Sequence, residues 1–181
     1  YPAEPTMTES RRIKRTLAYA GSFISVNQDE VTLPNGHTTT LELIEHPGAA
    51  AIVPLDSDGH VVLVRQYRYA AGGYILEVPA GKLGPEEDPT VCAVRELEEE
   101  TGLRTAKLTP LGFVWTTPGF TDEKIWLYLA EELTETTQAL EESEVLTIER
   151  VPLKTAVDMA INGEISDGKS VCALFRAYAI L

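Results

Sequence analysis

The chain has little cysteine and histidine and no long apolar stretches. Its only two cysteines, Cys92 and Cys172, fall in segments with helical spacing, which favours buried thiols over a disulfide or a metal pair. The three histidines are scattered and have no ligand spacing. No apolar run approaches the length of a membrane span, and the N-terminus lacks a signal-peptide core. We therefore expect a soluble cytoplasmic protein with no membrane partner.

Basic residues are also scarce: 15 Lys and Arg face 28 Asp and Glu, which gives a net charge of −13 at pH 7. Proteins hold nucleic acids mainly through contacts of Lys and Arg with phosphates, so this charge argues against a nucleic-acid partner. It would also repel an anionic small molecule. Binding such a ligand would require metal ions or a few well-placed arginines close to it.

Nothing in the composition divides the chain, because it has no Pro/Ser-rich linker, low-complexity stretch or internal repeat. With 44% hydrophobic residues it can bury one substantial core. We expect a flexible N-terminus over residues 1–10, in which the residues before Met7 are left over from expression. Residues 11–48 are expected to form an N-terminal β section and residues 49–181 the main domain.

The hydrophobic pattern predicts a mixed α/β fold. Two β-prone stretches, 12–25 and 31–45, with a turn at Asn35-Gly36, predict an N-terminal antiparallel section. Apolar runs at 49–54 and 60–66, joined by a turn signal, predict a second hairpin. Further strands are predicted at 74–78, 108–116, 124–130 and 145–151, and helices at 153–161 and 169–180, with Asp167 as a cap. A mixed sheet between helices is an α/β/α sandwich.

A central helix is predicted over residues 89–101. Pro89 suits the first turn of a helix, and Gly102 suits a left-handed stop. At about 100° per residue, the side chains of this helix fall on two separate arcs around its axis. The arc expected to pack contains Val91, Ala93, Val94, Leu97 and Thr101. The opposite arc contains Arg95, Glu96, Glu99 and Glu100.

The acidic arc predicts a metal site. Glu96 is three and four positions from Glu99 and Glu100, so these like charges repel and a cation would relieve them. Carboxylates without histidine or cysteine beside them favour hard, oxygen-preferring ions, so we expect Mg²⁺, with Mn²⁺ as a substitute. The alternative is an acidic helix face that is merely solvated. Arg95 among these acids is expected to orient a carboxylate, and its alternative role is a purely structural ion pair.

Residues 81–103 fit the pattern G-x5-E-x7-R-E-U-x-E-E-x-G-U, where U is aliphatic, at every specified position. This segment resembles the signature of the Nudix hydrolases. The resemblance implies the Nudix fold and metal-dependent cleavage of a diphosphate. It implies metal ligation by the carbonyl of Ala80 and by Glu96, Glu99 and Glu100, with Glu99 also catalytic. Glu87 is expected to support the loop or a metal-bound water.

Three further features resemble the ADP-ribose pyrophosphatase subgroup. Residues 77–83 are similar to the segment that opens the signature there, and Pro118 lies near a spacing typical of that subgroup. Residues 64–69 resemble a strand whose arginine contacts phosphate. The substrate-binding residues implied are Arg68, or Arg65 in its place, with Glu77 and Pro118. For both arginines the alternative is a surface charge at a strand end.

The residue that activates water is expected outside the signature. In relatives of the ADP-ribose type the base lies on a later mobile loop, and residues 138–144 occupy the corresponding position here. The candidates are Glu142 and Glu144, which the sequence does not separate. Such a carboxylate would reach a metal-bound water when the loop closes. The alternative is a solvated acidic loop.

The resemblance therefore implies Mg²⁺-dependent hydrolysis of ADP-ribose to AMP and ribose 5-phosphate. The alternatives are a broader nucleoside diphosphate sugar hydrolase of the GDP-mannose or UDP-sugar type, and a non-catalytic Nudix module that senses ADP-ribose. The sensing modules typically lose signature carboxylates, which this chain keeps. The subgroup also implies a homodimer whose N-terminal strands help to build the partner's adenine site. The aromatic residues considered for stacking the base are Tyr19, Phe23, Tyr67 and Tyr69.

Overall fold

A computed structural model of the chain describes residues 9–140, 142 and 144–181. Most of the N-terminal segment expected to be flexible lies outside these residues. The chain forms two compact units. One comprises the chain up to Pro47 together with Thr117–Glu123, and the other comprises Gly48–Thr116 and Lys124–Leu181. No helix in the described part of the chain is both long and apolar enough to cross a membrane.

The first unit contains an antiparallel sheet with the strand order β1-β2-β3, which confirms the predicted N-terminal antiparallel section. The strands are β1 (Arg11–Ala20), β2 (Ser25–Thr32) and β3 (Thr38–Glu45). The sequence predicted two β stretches here, and the structure has three strands because the chain turns back after Ala20. The turn at Asn35-Gly36 is confirmed: Gly36 has a φ of 81°, and its N–H donates to the Leu33 carbonyl.

The second unit contains two sheets, with strand orders β10-β5-β6 and β7-β4-β9-β8. Within the second sheet β4 and β9 run parallel and the other pairs run antiparallel. The sheet is therefore mixed, as predicted. The strands are β4 (Ala49–Pro54), β5 (His60–Arg68), β6 (Gly73–Glu77), β7 (Ala80–Lys82), β8 (Leu103–Trp115), β9 (Lys124–Glu135) and β10 (Leu146–Pro152).

The predicted second hairpin is wrong. The turn between β4 and β5 exists, since the Asp56 N–H donates to the His60 carbonyl and Gly59 has a φ of 80°. The two strands nevertheless belong to different sheets and share only an isolated bridge between Leu55 and Val61. Both edges of β4 are already paired, one with β7 and one with β9, so no edge of β4 remains for β5.

The mixed sheet β7-β4-β9-β8 lies between helices, which confirms the predicted α/β/α sandwich. Alternate side chains of β4 enter different cores: Ala51 and Val53 pack on the side of α2 (Leu153–Asn162) and α3 (Gly168–Ile180), whereas Ile52 packs on the side of α1 (Pro89–Thr101). A strand covered on both faces has no polar face, and every residue of β4 is buried.

Helix α1 begins and ends where the sequence predicts. Asp88 caps its N-terminus by accepting a hydrogen bond from the Thr90 N–H, and Gly102 ends it with a φ of 67°. The assignment of its faces is wrong in part, because Val91 is exposed whereas Glu96 and Glu100 are buried. The predicted cap of α3 is confirmed, since Asp167 accepts from the Ser170 N–H.

Candidate functional site

Two carboxylates of α1 meet a third from a distant part of the chain. Glu96 and Glu100, one helical turn apart, are 6% and 1% exposed. Glu144, from the segment that precedes β10, joins them, and one carboxylate oxygen from each residue lies within 4.8 Å of the other two. We call these three residues the carboxylate trio. The signature predicts Glu96 and Glu100 as metal ligands, Glu144 is one of the two candidate bases, and the structure brings all three together.

Burial of Glu96 and Glu100 disfavours the charged forms of these two carboxylates. Loss of water contact raises the pKa of Glu96 to about 6, although Arg95 opposes this shift. The same effect raises the pKa of Glu100 to about 8, although its hydrogen bond from the Ala80 N–H opposes it. The charge of Glu144 contributes to both increases. Buried carboxylates are costly unless a cation compensates them, and a site made only of oxygen donors fits a hard divalent ion.

The backbone before the helix lies directly against this cluster. The N–H of Ala80 donates to Oε2 of Glu100 over 3.0 Å. Gly81 touches Glu96 so closely that a Cβ added there would overlap the Glu96 carboxylate. The residue implied as a carbonyl ligand, Ala80, therefore lies beside the buried carboxylates, and the glycine is required by the close approach of backbone and side chain.

Arg95 binds three glutamates at once. Its Nε and Nη2 hold the two oxygens of Glu87 at 2.9 and 3.0 Å, and its Nη1 contacts Glu96 at 2.6 Å and Glu99 at 2.8 Å. Hydrogen bonds from Arg95 and from the Gly84 N–H lower the pKa of Glu87 to about 2. Glu87 therefore holds the signature loop to the helix. Glu99 is partly exposed and lies outside the carboxylate trio.

The segment that follows β9 is fastened to the end of α1. The Thr136 N–H donates to the Gly102 carbonyl, the Ala139 N–H to the Glu99 carbonyl, and Nε2 of Gln138 to the Glu100 carbonyl, over 2.7, 3.0 and 2.6 Å. These bonds satisfy helix carbonyls that have no partner within the helix. They also anchor the start of the loop that carries Glu144. The sequence pattern does not predict this anchor, because its hydrogen bonds join two elements that lie far apart in the chain.

The second proposed base, Glu142, lies exposed in a turn and is not part of the trio. Its neighbour Glu141 lies outside the described residues. The structure therefore places Glu144 and Glu142 in different surroundings, which the sequence could not do.

Arg68 belongs to a partly buried chain of ion pairs centred on Glu77. Its Nε and Nη2 bind the two oxygens of Glu77 at 3.0 and 2.7 Å, and Glu77 is only 2% exposed. Nζ of Lys169, at the start of α3, binds Glu77 at 2.7 Å and Asp167 at 2.9 Å. The positive charge of Arg68 opposes the rise in the pKa of Glu100, so the two groups interact electrostatically. Lys169 is not predicted from the sequence pattern, in which the cap at Asp167, two residues before it, is the only related signal.

The other expected substrate residues include Arg65 and Pro118. Arg65 pairs with Glu149 of β10, and Nη2 of Arg65 lies 3.3 Å from Oε2 of Glu149. The positive charge of Arg65 is therefore compensated by an acid of the same sheet. Pro118 lies in the 117–123 segment of the first unit. Of the aromatic candidates, Tyr67 packs edge to face on Tyr74 with ring centroids 5.4 Å apart, and Tyr69 is 88% exposed.

The chain is similar in sequence and in fold to known proteins. A family model for the NUDIX domain matches residues 45–174. Over 168 residues the chain is 37% identical to an ADP-ribose pyrophosphatase of Bacillus subtilis (strain 168) and 39% identical to a methanol dehydrogenase activator of Bacillus methanolicus, covering 92% of the chain and 91% of each relative. A GDP-mannose pyrophosphatase of Salmonella arizonae is 34% identical over 70% of the chain and 71% of its own length. A solved structure described as an ADP compounds hydrolase superposes with a TM-score of 0.85 at 25% identity, covering 98% and 96% of the two chains.

Proposed function

This chain belongs to the NUDIX domain family, and from that premise we propose that it hydrolyses the pyrophosphate bond of ADP-ribose to AMP and ribose 5-phosphate with Mg²⁺. It is a Nudix pyrophosphohydrolase. The observation that carries the reaction is the carboxylate trio, which gathers two buried glutamates of α1 and the half-buried Glu144, with the charge of Arg68 acting on Glu100. The substrate assignment is supported by the ADP-ribose pyrophosphatase of Bacillus subtilis, which is similar over 92% of the chain.

Glu96, Glu100 and Glu144 are the residues proposed to hold the divalent ion. Their donor set consists only of carboxylate oxygens, which suits Mg²⁺ better than zinc. The bound ion would neutralise charge on the phosphoryl oxygens and lower the pKa of a coordinated water. The carbonyl of Ala80 and the carboxylates of Glu99 and Glu87 stay further candidates for the same site.

The remaining steps fall to side chains of this chain. Glu144 is proposed to accept the proton of the attacking water, because it joins the trio from a loop rather than from the signature helix. Arg68 is proposed to bind a phosphate of the substrate, since it is the cation whose field reaches Glu100. Arg95 is proposed to orient Glu96, which it contacts at 2.6 Å while it holds Glu87.

We also propose a homodimer formed through the sheet β1-β2-β3. The outer strand β1 exposes large apolar side chains, since Ile13, Leu17 and Tyr19 are 48%, 58% and 58% exposed. Exposed apolar groups on one sheet are a common mark of an interaction surface. Sedimentation velocity measures the oligomeric state directly. The cytoplasmic location and the lack of a nucleic-acid partner stay predictions from composition.

A substrate panel tests the activity. The purified chain would be incubated with Mg²⁺ and ADP-ribose, GDP-mannose, UDP-glucose, NADH, dinucleoside polyphosphates or dNTPs, with phosphatase added to release phosphate from the products. We expect ADP-ribose to give the highest kcat/KM, and chromatography to identify AMP and ribose 5-phosphate. Activity confined to dNTPs would refute the substrate. Saturable binding of ADP-ribose without turnover would instead support the sensing module.

A broader specificity is the second candidate, and the similarity to GDP-mannose pyrophosphatases favours it. The same panel separates the two, because comparable kcat/KM values for ADP-ribose and GDP-mannose would indicate the broader enzyme. The similarity to a methanol dehydrogenase activator adds one further arm, in which purified methanol dehydrogenase is assayed with and without the chain.

A further inference from the structure

The ion-pair chain behind Arg68 contains a cation that no part of the proposed mechanism uses. Lys169 is the second residue of α3, and its side chain is only 11% exposed. Its ammonium group lies between two carboxylates, 2.7 Å from Glu77 and 2.9 Å from Asp167. A lysine buried to this extent is rare unless it is paired, and here both of its partners are acids.

Glu77 is shared by two cations. Arg68 binds both of its oxygens from one side, and Lys169 binds Oε2 from α3. Because Glu77 is almost fully buried, removing either cation leaves part of its charge uncompensated in a medium that penalises it. The position of this carboxylate therefore depends on α3 as well as on the strand that carries Arg68.

Arg68 uses only one side of its guanidinium group for Glu77. Nε and Nη2 make the two bonds, and among the residues that the structure describes none accepts a hydrogen bond from Nη1. A guanidinium held in this way by a bidentate carboxylate is fixed in orientation and keeps a donor for another anion.

The start of α3 is itself fixed to the strand region that bears Glu77. Asp167 caps the helix by accepting from the Ser170 N–H over 3.0 Å, and Oγ of Ser170 accepts from the Val78 N–H over 2.8 Å. Val78 follows Glu77 directly in the chain. The start of α3 thus holds Lys169 beside Glu77, because the same helix end is hydrogen-bonded to Val78, the residue after Glu77.

We propose that Lys169 is a positioning residue for substrate binding: by holding Glu77 from behind, it fixes the guanidinium of Arg68 so that Nη1 faces the diphosphate of the substrate. This inference rests on the proposed function and extends the site to α3. A purely structural role is the rival explanation, in which Lys169 only stabilises the start of the helix.

The test compares Lys169→Met, which keeps the length of the side chain and removes the charge, with Lys169→Arg, which restores it. Lys154→Met is the matched control, because Lys154 also pairs with an acid on a helix. Its side chain is 72% exposed, and it takes no part in the proposed site. We expect Lys169→Met to raise KM for ADP-ribose about tenfold with kcat changed less than about threefold, and Lys169→Arg to recover part of the loss. The control should match the wild type.

An unchanged KM in a folded Lys169→Met variant would overturn the proposal, as would an equal loss in the control. If Lys169→Met lowers Tm strongly, the double variant Glu77→Gln/Lys169→Met removes the uncompensated charge. The proposal then expects Tm to recover while KM stays raised, and recovery of both would refute it.

A binding measurement distinguishes a failure of the proposed function from a failure of the positioning role of Lys169. Binding of ADP, which contains the diphosphate but is not the proposed substrate, is measured by isothermal titration calorimetry without turnover. If the wild type fails to hydrolyse ADP-ribose yet Lys169→Met weakens ADP binding about tenfold, the positioning role stands and the substrate assignment falls. If ADP binding is unaffected by the substitution, the positioning role falls.

Discussion

The carboxylate of Glu96 occupies the space that a side chain at Gly81 would fill. A Cβ added to Gly81 would stand 2.5 Å from Oε2 of Glu96 and closer still to Oε1, so the absence of a side chain at Gly81 lets the carboxylate lie against the backbone. The glycine that opens the signature therefore shapes the carboxylate trio directly, and its role goes beyond turning the loop. The obstructed atoms are the far end of a flexible side chain, which can swing away without unfolding the helix.

We predict that Gly81→Ala keeps the fold and damages the site. The new methyl group would displace the Glu96 carboxylate from the trio, so kcat/KM should fall about 100-fold while Tm changes little. Gly73→Ala is the control, because a Cβ there meets nothing within 4 Å. Enzyme kinetics and thermal melting measure the two effects. Wild-type activity in Gly81→Ala would show that Glu96 need not occupy its observed position.

Glu100→Gln should make the metal-free protein more stable and much less active. The substitution removes a buried charge whose pKa is raised to about 8 and keeps an oxygen for the Ala80 N–H. We expect a gain on the order of 1 kcal/mol in unfolding free energy at pH 8 without metal, and a loss of about 10- to 100-fold or more in turnover.

Two other substitutions on the same helix calibrate this prediction. Glu98→Gln removes a charge that pairs with Arg104 away from the trio, and it should alter neither property strongly. Glu99→Gln should reduce turnover by less than Glu100→Gln, because Glu99 is partly exposed and pairs with Arg95. An equal loss in Glu99→Gln would restore Glu99 as a principal ligand.

The stabilising effect of Mg²⁺ should grow with pH. An unfolded glutamate has a pKa of about 4.3, whereas the folded values for Glu96 and Glu100 are about 6 and about 8. Between these limits the folded metal-free chain binds protons that the unfolded chain releases, so its stability falls as the pH rises. A cation replaces those protons, so the Tm increase on adding excess Mg²⁺ should be larger near pH 8.5 than near pH 5.5. A shift independent of pH would argue against Mg²⁺ at these two residues.

Glu144→Gln and Glu142→Gln should differ sharply. Glu144 belongs to the trio and Glu142 lies in an exposed turn. Loss of a general base costs about 10² to 10⁴ in kcat, and loss of a metal ligand also lowers the affinity for Mg²⁺. We expect the first variant to lose at least about 100-fold in kcat and the second to stay within about threefold of the wild type. Steady-state kinetics over a range of Mg²⁺ concentrations separates the base role from the ligand role, and a reversed order would identify Glu142 as the base.

The parts of the fold that sequence reasoning predicted well are local. The bounds of α1 were predictable because Pro89 and Gly102 act within one turn of the helix ends, and the cap of α3 at Asp167 follows the same logic. The faces of α1 were predicted less well. Periodicity separates acids from apolar residues but does not say that Glu96 and Glu100 turn towards a buried site and Val91 towards solvent.

The amino-acid sequence by itself determined the reaction class, because the signature places its glycines, arginine and glutamates at spacings that one loop and one helix translate directly into geometry. Only the tertiary structure decided which acids meet. Glu144 joins Glu96 and Glu100, Lys169 reaches Glu77 across 92 positions of the chain, and β4 and β5 part into separate sheets. Such contacts depend on how whole elements pack and on which groups lose water when they do, and neither quantity is encoded in the spacing of nearby residues.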